Sequence, residues 1–251
     1  RYIESFEKAR VGRGVMSRRL VPAKTLERQG TELPSFRFDH LLRMVDSAGV
    51  LQHATYTVPN FGEGYCTDDN ARGLILTVLL EELEMGEEKL KHVASASAAL
   101  LNYALDRKTR RFRNFMGFNR KWLEERGSED SHGRAIWALG TCVGRSRDSG
   151  LQRLAGQLFE IALPSVREIT SPRSWAFSLI GIHEYLRRLS GDRFVNIIRD
   201  ELTEKLVNLF AESSSDEWPW FEDTVTYSNA KLPHALILSG HWTNRPKVFE
   251  I

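Results

Sequence analysis

Cysteine is scarce in this chain of 251 residues: there are two, Cys66 and Cys142. No CxxC pair and no His spacing of a zinc site accompanies them. A zinc module is therefore excluded, and so is a scaffold stapled by disulfides. Two reduced, buried thiols and a cytoplasmic setting are expected. Long apolar runs are also missing. None approaches the roughly 20 residues of a membrane span, and no secretory leader is visible. Neither sign of charge prevails, with 35 Lys/Arg against 33 Asp/Glu and a formal charge of +2. The balance is uneven, however. Residues 1–30 carry eight basic and three acidic side chains, and the remainder carries 27 and 30. The basic stretch has no strong periodicity and reads as an arm or linker over residues 1–36, ahead of a domain over 37–251. No nucleic-acid motif accompanies the charge, so no nucleic-acid partner is expected. Nothing points to a metal or a cofactor. The chain opens on Arg1 rather than Met and stops at Ile251, just after Pro246 starts another helix. A missing native N-terminus and missing final helices are therefore expected.

What the chain does have is repetition. Asp68-Asp69-Asn70-Ala71-Arg72 and Asp130-Ser131-His132-Gly133-Arg134 each set an Asp four residues before an Arg and then run into apolar sequence. Ser171-Pro172-Arg173-Ser174-Trp175 is a looser third copy, and Tyr227-Ser228-Asn229-Ala230-Lys231 a fourth. The starts lie about 60, 42 and 56 residues apart. A unit of that length is one supersecondary module, and several must stack to share a core. Thr67, Ser128 and Ser171 are the expected N-caps. Pro172 suits a first helical position, and Pro233 requires its helix to begin near Ala230 or Lys231.

The helices after these starts are apolar on nearly every side, which means burial all round. Those between them, around residues 88–104, 151–161 and 194–209, are amphipathic. The alternation suits an all-α, two-layer toroid with about four hairpins and a leading helix near 38–45. A flat solenoid alternates its layers too. Residues 111–116 alternate polar and apolar and read as a short strand, with 121–123 as its partner. Residues 49–65 are irregular. Both segments precede a repeated start, where loops commonly carry function.

If the repeat is regular, the starts share one end, the mouth. Asp68, Asp69, Glu129 and Asp130 then converge there, joined by Glu222 and Asp223. Trp122, Trp218, Trp220 and Tyr227 arrive at the same end, while Trp137 and Trp175 read as core. Carboxylates among aromatic faces suit a carbohydrate: sugar faces stack on rings, and Asn70, Arg72, His132, Arg134, Asn229 and Lys231 are placed to bond hydroxyls. Two carboxyls astride a glycosidic bond supply acid and base, with inversion when roughly 6.5–9.5 Å separates them. Asp69, Asp130 and Glu222 are the catalytic candidates. For any one Asp the plainer role is helix capping or i,i+4 pairing with its Arg.

Residues 35–245 resemble the all-helical six-hairpin glycosidase-like domains that accompany bacterial glycosyltransferases. The matching stretches are Asp39-His40-Leu41-Leu42, Gln52-His53-Ala54, Gly64 to Arg72, Glu129 to Arg134, Ser174-Trp175-Ala176-Phe177 and Ser228 to Pro233. The resemblance implies an (α/α) toroid with short hairpins or loops at its mouth, an oligosaccharide or polysaccharide substrate and a glycosyltransferase as partner. It implies no particular catalytic residue. Two functions follow as expectations, an inverting glycoside hydrolase and a non-catalytic glycan-binding or scaffolding domain. A helical protein-interaction repeat would instead present an open concave face. With no hairpin after residue 251, Leu236, Ile237, Leu238, Trp242, Val248 and Phe249 form an uncovered flank suited to self-association.

Overall fold

Every repeated start becomes the N-terminus of a helix. The computed structural model describes residues 35–85 and 88–251, and the basic arm expected over 1–36 falls almost wholly outside them. Among the described residues, Phe38–Ile251 form one unit with nine α-helices. These are α1 (Asp39–Arg43), α2 (Thr67–Glu82), α3 (Glu88–Ala104), α4 (Glu129–Arg145), α5 (Ser149–Ala162), α6 (Pro172–Leu186), α7 (Arg193–Ser213), α8 (Lys231–Thr243) and α9 (Pro246–Phe249). Ser128 and Ser171 cap α4 and α6, accepting from the amides of Ser131 at 3.1 Å and Ser174 at 3.4 Å. Helix α8 begins at Lys231, so Pro233 stays in its first turn. Thr67 is not a cap. Cys66 holds that position, its Sγ accepting from the Asp69 amide, while the Thr67 hydroxyl donates to the Arg113 carbonyl at 2.5 Å.

Helices α2, α4, α6 and α8 pack side by side in that order. Helices α3, α5 and α7 lie against α2, α4 and α6. The expected burial on all sides holds for α4 and α6, whose residues are nearly all buried. It fails for α2 and α8, where Leu76 and Ile237 are exposed. The reason is position: α4 and α6 each have a repeated helix on both sides, and α2 and α8 have one on a single side. Helix α7 is one-sided, burying only Val195, Ile198, Leu202, Thr203 and Leu206.

The tightest contact joins α4 to α6. A Cβ on Gly140 would overlap the Gly181 carbonyl, and one on Gly144 would overlap that of Glu184. A Cβ on Gly181 would fall 2.5 Å from the Ile136 carbonyl oxygen, and one on Gly133 2.8 Å from that of Ser174. The backbones therefore touch where side chains would otherwise hold helix axes some 8–10 Å apart. At the far end, Arg145 of α4 binds Glu184 of α6 through two nitrogens at 2.5 and 2.9 Å and Glu82 of α2 at 2.6 Å.

Strand pairing differs from the expectation. Among the described residues, β1 (Ala54–Thr55) pairs with β2 (Val58–Pro59), β3 (Tyr65–Cys66) with β6 (Phe115–Met116), and β4 (Leu105–Asp106) with β5 (Arg111–Phe112), all antiparallel. Residues 111–116 are thus two strands, and of 121–123 only Trp122 bridges back, to Met116. The cause is a local turn. The Asp106 carboxylate accepts from the amides of Lys108 and Thr109 and folds Arg111 back onto Asp106 and Phe112 onto Leu105, where Phe112 is completely buried. The expected uncovered flank is also only partly so. Helix α9 folds back on α8, with Phe249 against Gly240. Leu236 and Val248 are buried, while Ile237, Trp242 and Phe249 remain exposed.

The glycine contact makes a prediction of opposite signs. Gly140→Ala should destabilise the fold by about 1–3 kcal/mol through overpacking, although alanine is the better helix former. Gly156, whose added Cβ would meet only a Val143 methyl at 3.9 Å, should gain about 0.5–1 kcal/mol on the same change. Urea denaturation of both variants reads the two signs directly.

Candidate functional site

The starts of α2, α4 and α6 and the loop before α8 meet at one end of the row. Gly64 opens the approach to α2 at φ +64°, a conformation that suits glycine. The Asn114 carbonyl then accepts from the Thr67 amide at 2.9 Å and sets the first turn. Arg134 of α4 reaches Asp68 of α2, its Nε 2.6 Å from Oδ1, and donates to the Ser228 hydroxyl at 3.2 Å. Asp130 accepts from Ser171, the cap of α6, at 2.6 Å and from the hydroxyl of Tyr227. Arg173 of α6 gathers the loop. It donates to both oxygens of Glu222 at 2.7 and 2.6 Å, to the Tyr227 carbonyl at 2.6 Å, to Thr226, and to Asn229 at 3.2 Å.

These links run between copies, which overturns the local pairing expected for Arg134. Asp130 and Arg134 form no pair. Arg134 is buried, with its guanidinium 4.1 Å over the Phe177 ring. A buried guanidinium needs a carboxylate desolvated with it, and Asp68 fills that role. Arg72 does pair within its own helix, to Asp68 at 2.6 Å and Asp69 at 3.0 Å, but its side chain is half-exposed.

Below the starts, α2, α4, α6 and α8 line a hollow of about 260 Å³ whose walls include Ile75, Trp137, Ile180, His234 and Trp242. Trp137, expected in the core, is half-buried on this wall and stacks near-parallel on Phe177 at 6.0 Å. The Lys231 ammonium lies 4.3 Å over the Trp137 ring and 3.5 Å from Nδ1 of His234. Trp175 is half-buried elsewhere, its indole N–H on the Ile169 carbonyl.

Charge in the mouth is set by burial and by these partners. Burial pushes the Asp68 carboxyl above its ordinary range, against the pull of Arg134 and Arg72. Arg134 Nε sits beside Oδ1 off the line of its N–H, so that oxygen has a charge neighbour and no donor. Burial and the bond to Asp130 push Tyr227 up to about 12. Burial works against ionisation of Glu129, but donors from Ser171 and Thr170 outweigh it and hold the carboxyl low. Burial and Arg134 lower Lys231.

Several expected ligand contacts turn out to be internal. Asn70 is fully buried, its amide exchanging bonds with both backbone groups of Val50. His132 is fully buried against Ser165 at 3.0 Å. Glu129 fastens the amides of Thr170 and Ser171, and Asn229 holds its own loop through Arg173 and the Thr226 amide. Trp122 packs with Tyr103 and Arg113 beside α3. Trp220 packs edge-on against buried Phe221, and the Trp218 indole donates to the Glu222 carbonyl. Asp223 is exposed. The structure therefore brings together Asp68, Asp69, Asp130, Arg72, Arg134, Glu222, Tyr227, Asn229 and Lys231, and adds Arg173. Arg173 stands two residues after its cap, where the first two copies carry Asp68 and Asp130. A cation at that offset was the signal for it.

The chain matches no family model, no curated protein and no solved structure. Among the described residues no three His, Cys, Asp or Glu side chains group to hold a metal ion, and no helix is long and apolar enough to cross a membrane.

Arg173 is 7% exposed in its side chain. Arg173→Met strands Glu222 and should cost about 3–5 kcal/mol in urea denaturation; a loss below about 1 kcal/mol would mark a surface-like pair. Acid stability supplies a second check. Burial holds His132 and His183 down at about 3, whereas an unfolded histidine titrates near 6.5. Their neutral forms therefore favour the fold fully above about pH 6.5. That contribution is lost as pH falls towards 3, at about 1.4 kcal/mol per pH unit for each group. Stability should fall between pH 6.5 and 5, and His132→Gln should make the slope shallower by one proton.

Proposed function

We propose that this is a carbohydrate-active domain, a partial (α/α) toroid of the six-hairpin glycosidase type, which binds an oligosaccharide at its mouth and cleaves a glycosidic bond with inversion. The common hollow lined by α2, α4, α6 and α8 supports the toroid. The two buried free thiols fit a cytoplasmic setting.

One observation carries the catalytic reading. Asp68, in the mouth, has a carboxyl that burial drives upward and an oxygen without a donor. A general acid must keep its proton near neutral pH, and burial acts in that direction. Asp68 thereby joins Asp69, Asp130 and Glu222 as a candidate acid, opposed by its pairing with Arg134 and Arg72. Asp130, on the neighbouring helix and supported by Ser171 and Tyr227, is the partner that activates water.

The second reading, a glycan-binding domain serving a glycosyltransferase, is favoured by an observation of its own. Asp69, Asp130 and Glu222 are all engaged by donors of the chain itself. A glycan array followed by hydrolysis assays on wild type, Asp68→Asn and Asp130→Asn separates the two. The hydrolase reading expects turnover that drops at least about 100-fold in either variant, with binding retained. Binding without turnover supports the scaffold, and neither binding nor turnover on any glycan contradicts the carbohydrate reading.

A further inference from the structure

Lys231 differs from the other cations of the mouth. Arg72 and Arg134 share Asp68, and Arg173 holds Glu222. Among the described residues no carboxylate stands within ion-pair distance of the Lys231 ammonium. Its neighbours are the Trp137 ring and the His234 nitrogen, and the charge that acts on it is Arg134, of the same sign. The two cations are tied to one residue: Arg134 donates to the Ser228 hydroxyl at 3.2 Å and the Lys231 amide to the Ser228 carbonyl at 3.0 Å. Two like charges held together and partly desolvated are unfavourable unless a counter-charge joins them. Asp68 pairs with Arg134, and the Asp130 charge also acts on Arg134, whereas Lys231 has neither carboxylate in ion-pair distance.

The position of that ammonium specifies a ligand. Both residues that Lys231 touches, Trp137 and His234, line the hollow, as do Trp242 and the charged Arg145, Glu184 and Arg187. At about 260 Å³ the hollow is smaller than the roughly 300–1,000 Å³ of sites for drug-sized molecules, a scale suited to one sugar ring. We infer that the mouth selects an acidic saccharide, a uronic acid unit whose carboxylate meets Lys231 beside Arg134 and Ser228 while its ring enters the hollow between the indoles. The inference rests on the carbohydrate reading above and narrows it to a substrate class. A carboxylate met by a partly buried ammonium forms a charge-assisted hydrogen bond, stronger than a neutral one, and His234, whose Nδ1 faces the ammonium, can donate from Nε2 to a ring hydroxyl.

The test is calorimetric, at low salt. Oligogalacturonate and oligoglucuronate are each titrated beside the neutral oligosaccharide of the same linkage and length, with glucose 6-phosphate and inorganic phosphate as further arms. The expected result is a preference for an acidic sugar over its neutral counterpart of about tenfold or more. Lys231→Met should abolish that preference and Lys231→Arg should keep it. A phosphorylated sugar bound better than the uronates would keep the anionic class and overturn the uronate. Neutral glycans bound as tightly as acidic ones overturn the inference and leave the carbohydrate reading standing. So does a preference that survives in Lys231→Met. Inorganic phosphate bound as well as any sugar reduces the site to a simple anion site and also overturns it. No sugar bound at all contradicts both readings. The comparison within the wild-type protein decides the matter even where a variant folds poorly.

Discussion

The carbonyl of Gly181 occupies the space where a side chain on Gly140 would begin, and that contact sets the geometry of the row. Helices α4 and α6 meet along Gly133, Gly140, Gly144 and Gly181 with backbone against backbone. Their starts are thereby drawn close enough for Ser171 to reach Asp130 and for the Ser174 hydroxyl to donate to the Glu129 carbonyl at 2.7 Å. A wider spacing would leave these short side chains facing water. The polar mouth thus depends on an apolar, glycine-lined seam lower down the same helices.

Once the starts are close, charge decides how they connect. Each of the first two repeats could satisfy its Asp and Arg locally, and the first does so in part through Arg72. The second does not, because Arg134 is buried over Phe177 and must take a carboxylate from its neighbour. A buried pair of this kind adds less stability than its attraction suggests, since both ions lose water. Its consequence is register: Asp68, Asp130 and Glu222 are each claimed by a partner on another element. Among the described residues, Lys231 has no carboxylate within ion-pair distance, and its neighbours are the Trp137 ring and His234.

Much of the scaffold was legible in the sequence. Ser128, Ser171, Pro172 and Pro233 mark helix starts through local chemistry that tertiary packing does not override. The amphipathic stretches around 88–104 and 194–209 became flanking helices for the same reason. Partner choice was less legible. The spacing of Asp130 and Arg134 fits an i,i+4 pair as well as it fits a link between copies, and only burial distinguishes the two. Trp137 reads as core by its apolar neighbours, yet it faces a hollow that exists only once four helices surround it. Asn70 and His132 look like ligand-binding residues because they lie in the motif, but the turn of the helix points them inward, to Val50 and Ser165. The expected partner over 121–123 does meet Met116 through Trp122, whereas the pairing of Arg111 and Phe112 was set by a turn at Asp106 that a pattern of alternation cannot convey.

The central claim is that the repeats are joined to one another through their polar starts. A double-mutant cycle between Asp68 and Arg134 tests it most directly, using Asp68→Asn and Arg134→Met in urea denaturation, with an Asp130–Arg134 cycle beside it. The account predicts a coupling of about 1 kcal/mol or more between Asp68 and Arg134 and a value below about 0.5 kcal/mol between Asp130 and Arg134. The reverse order, with the coupling inside the second repeat, would contradict it.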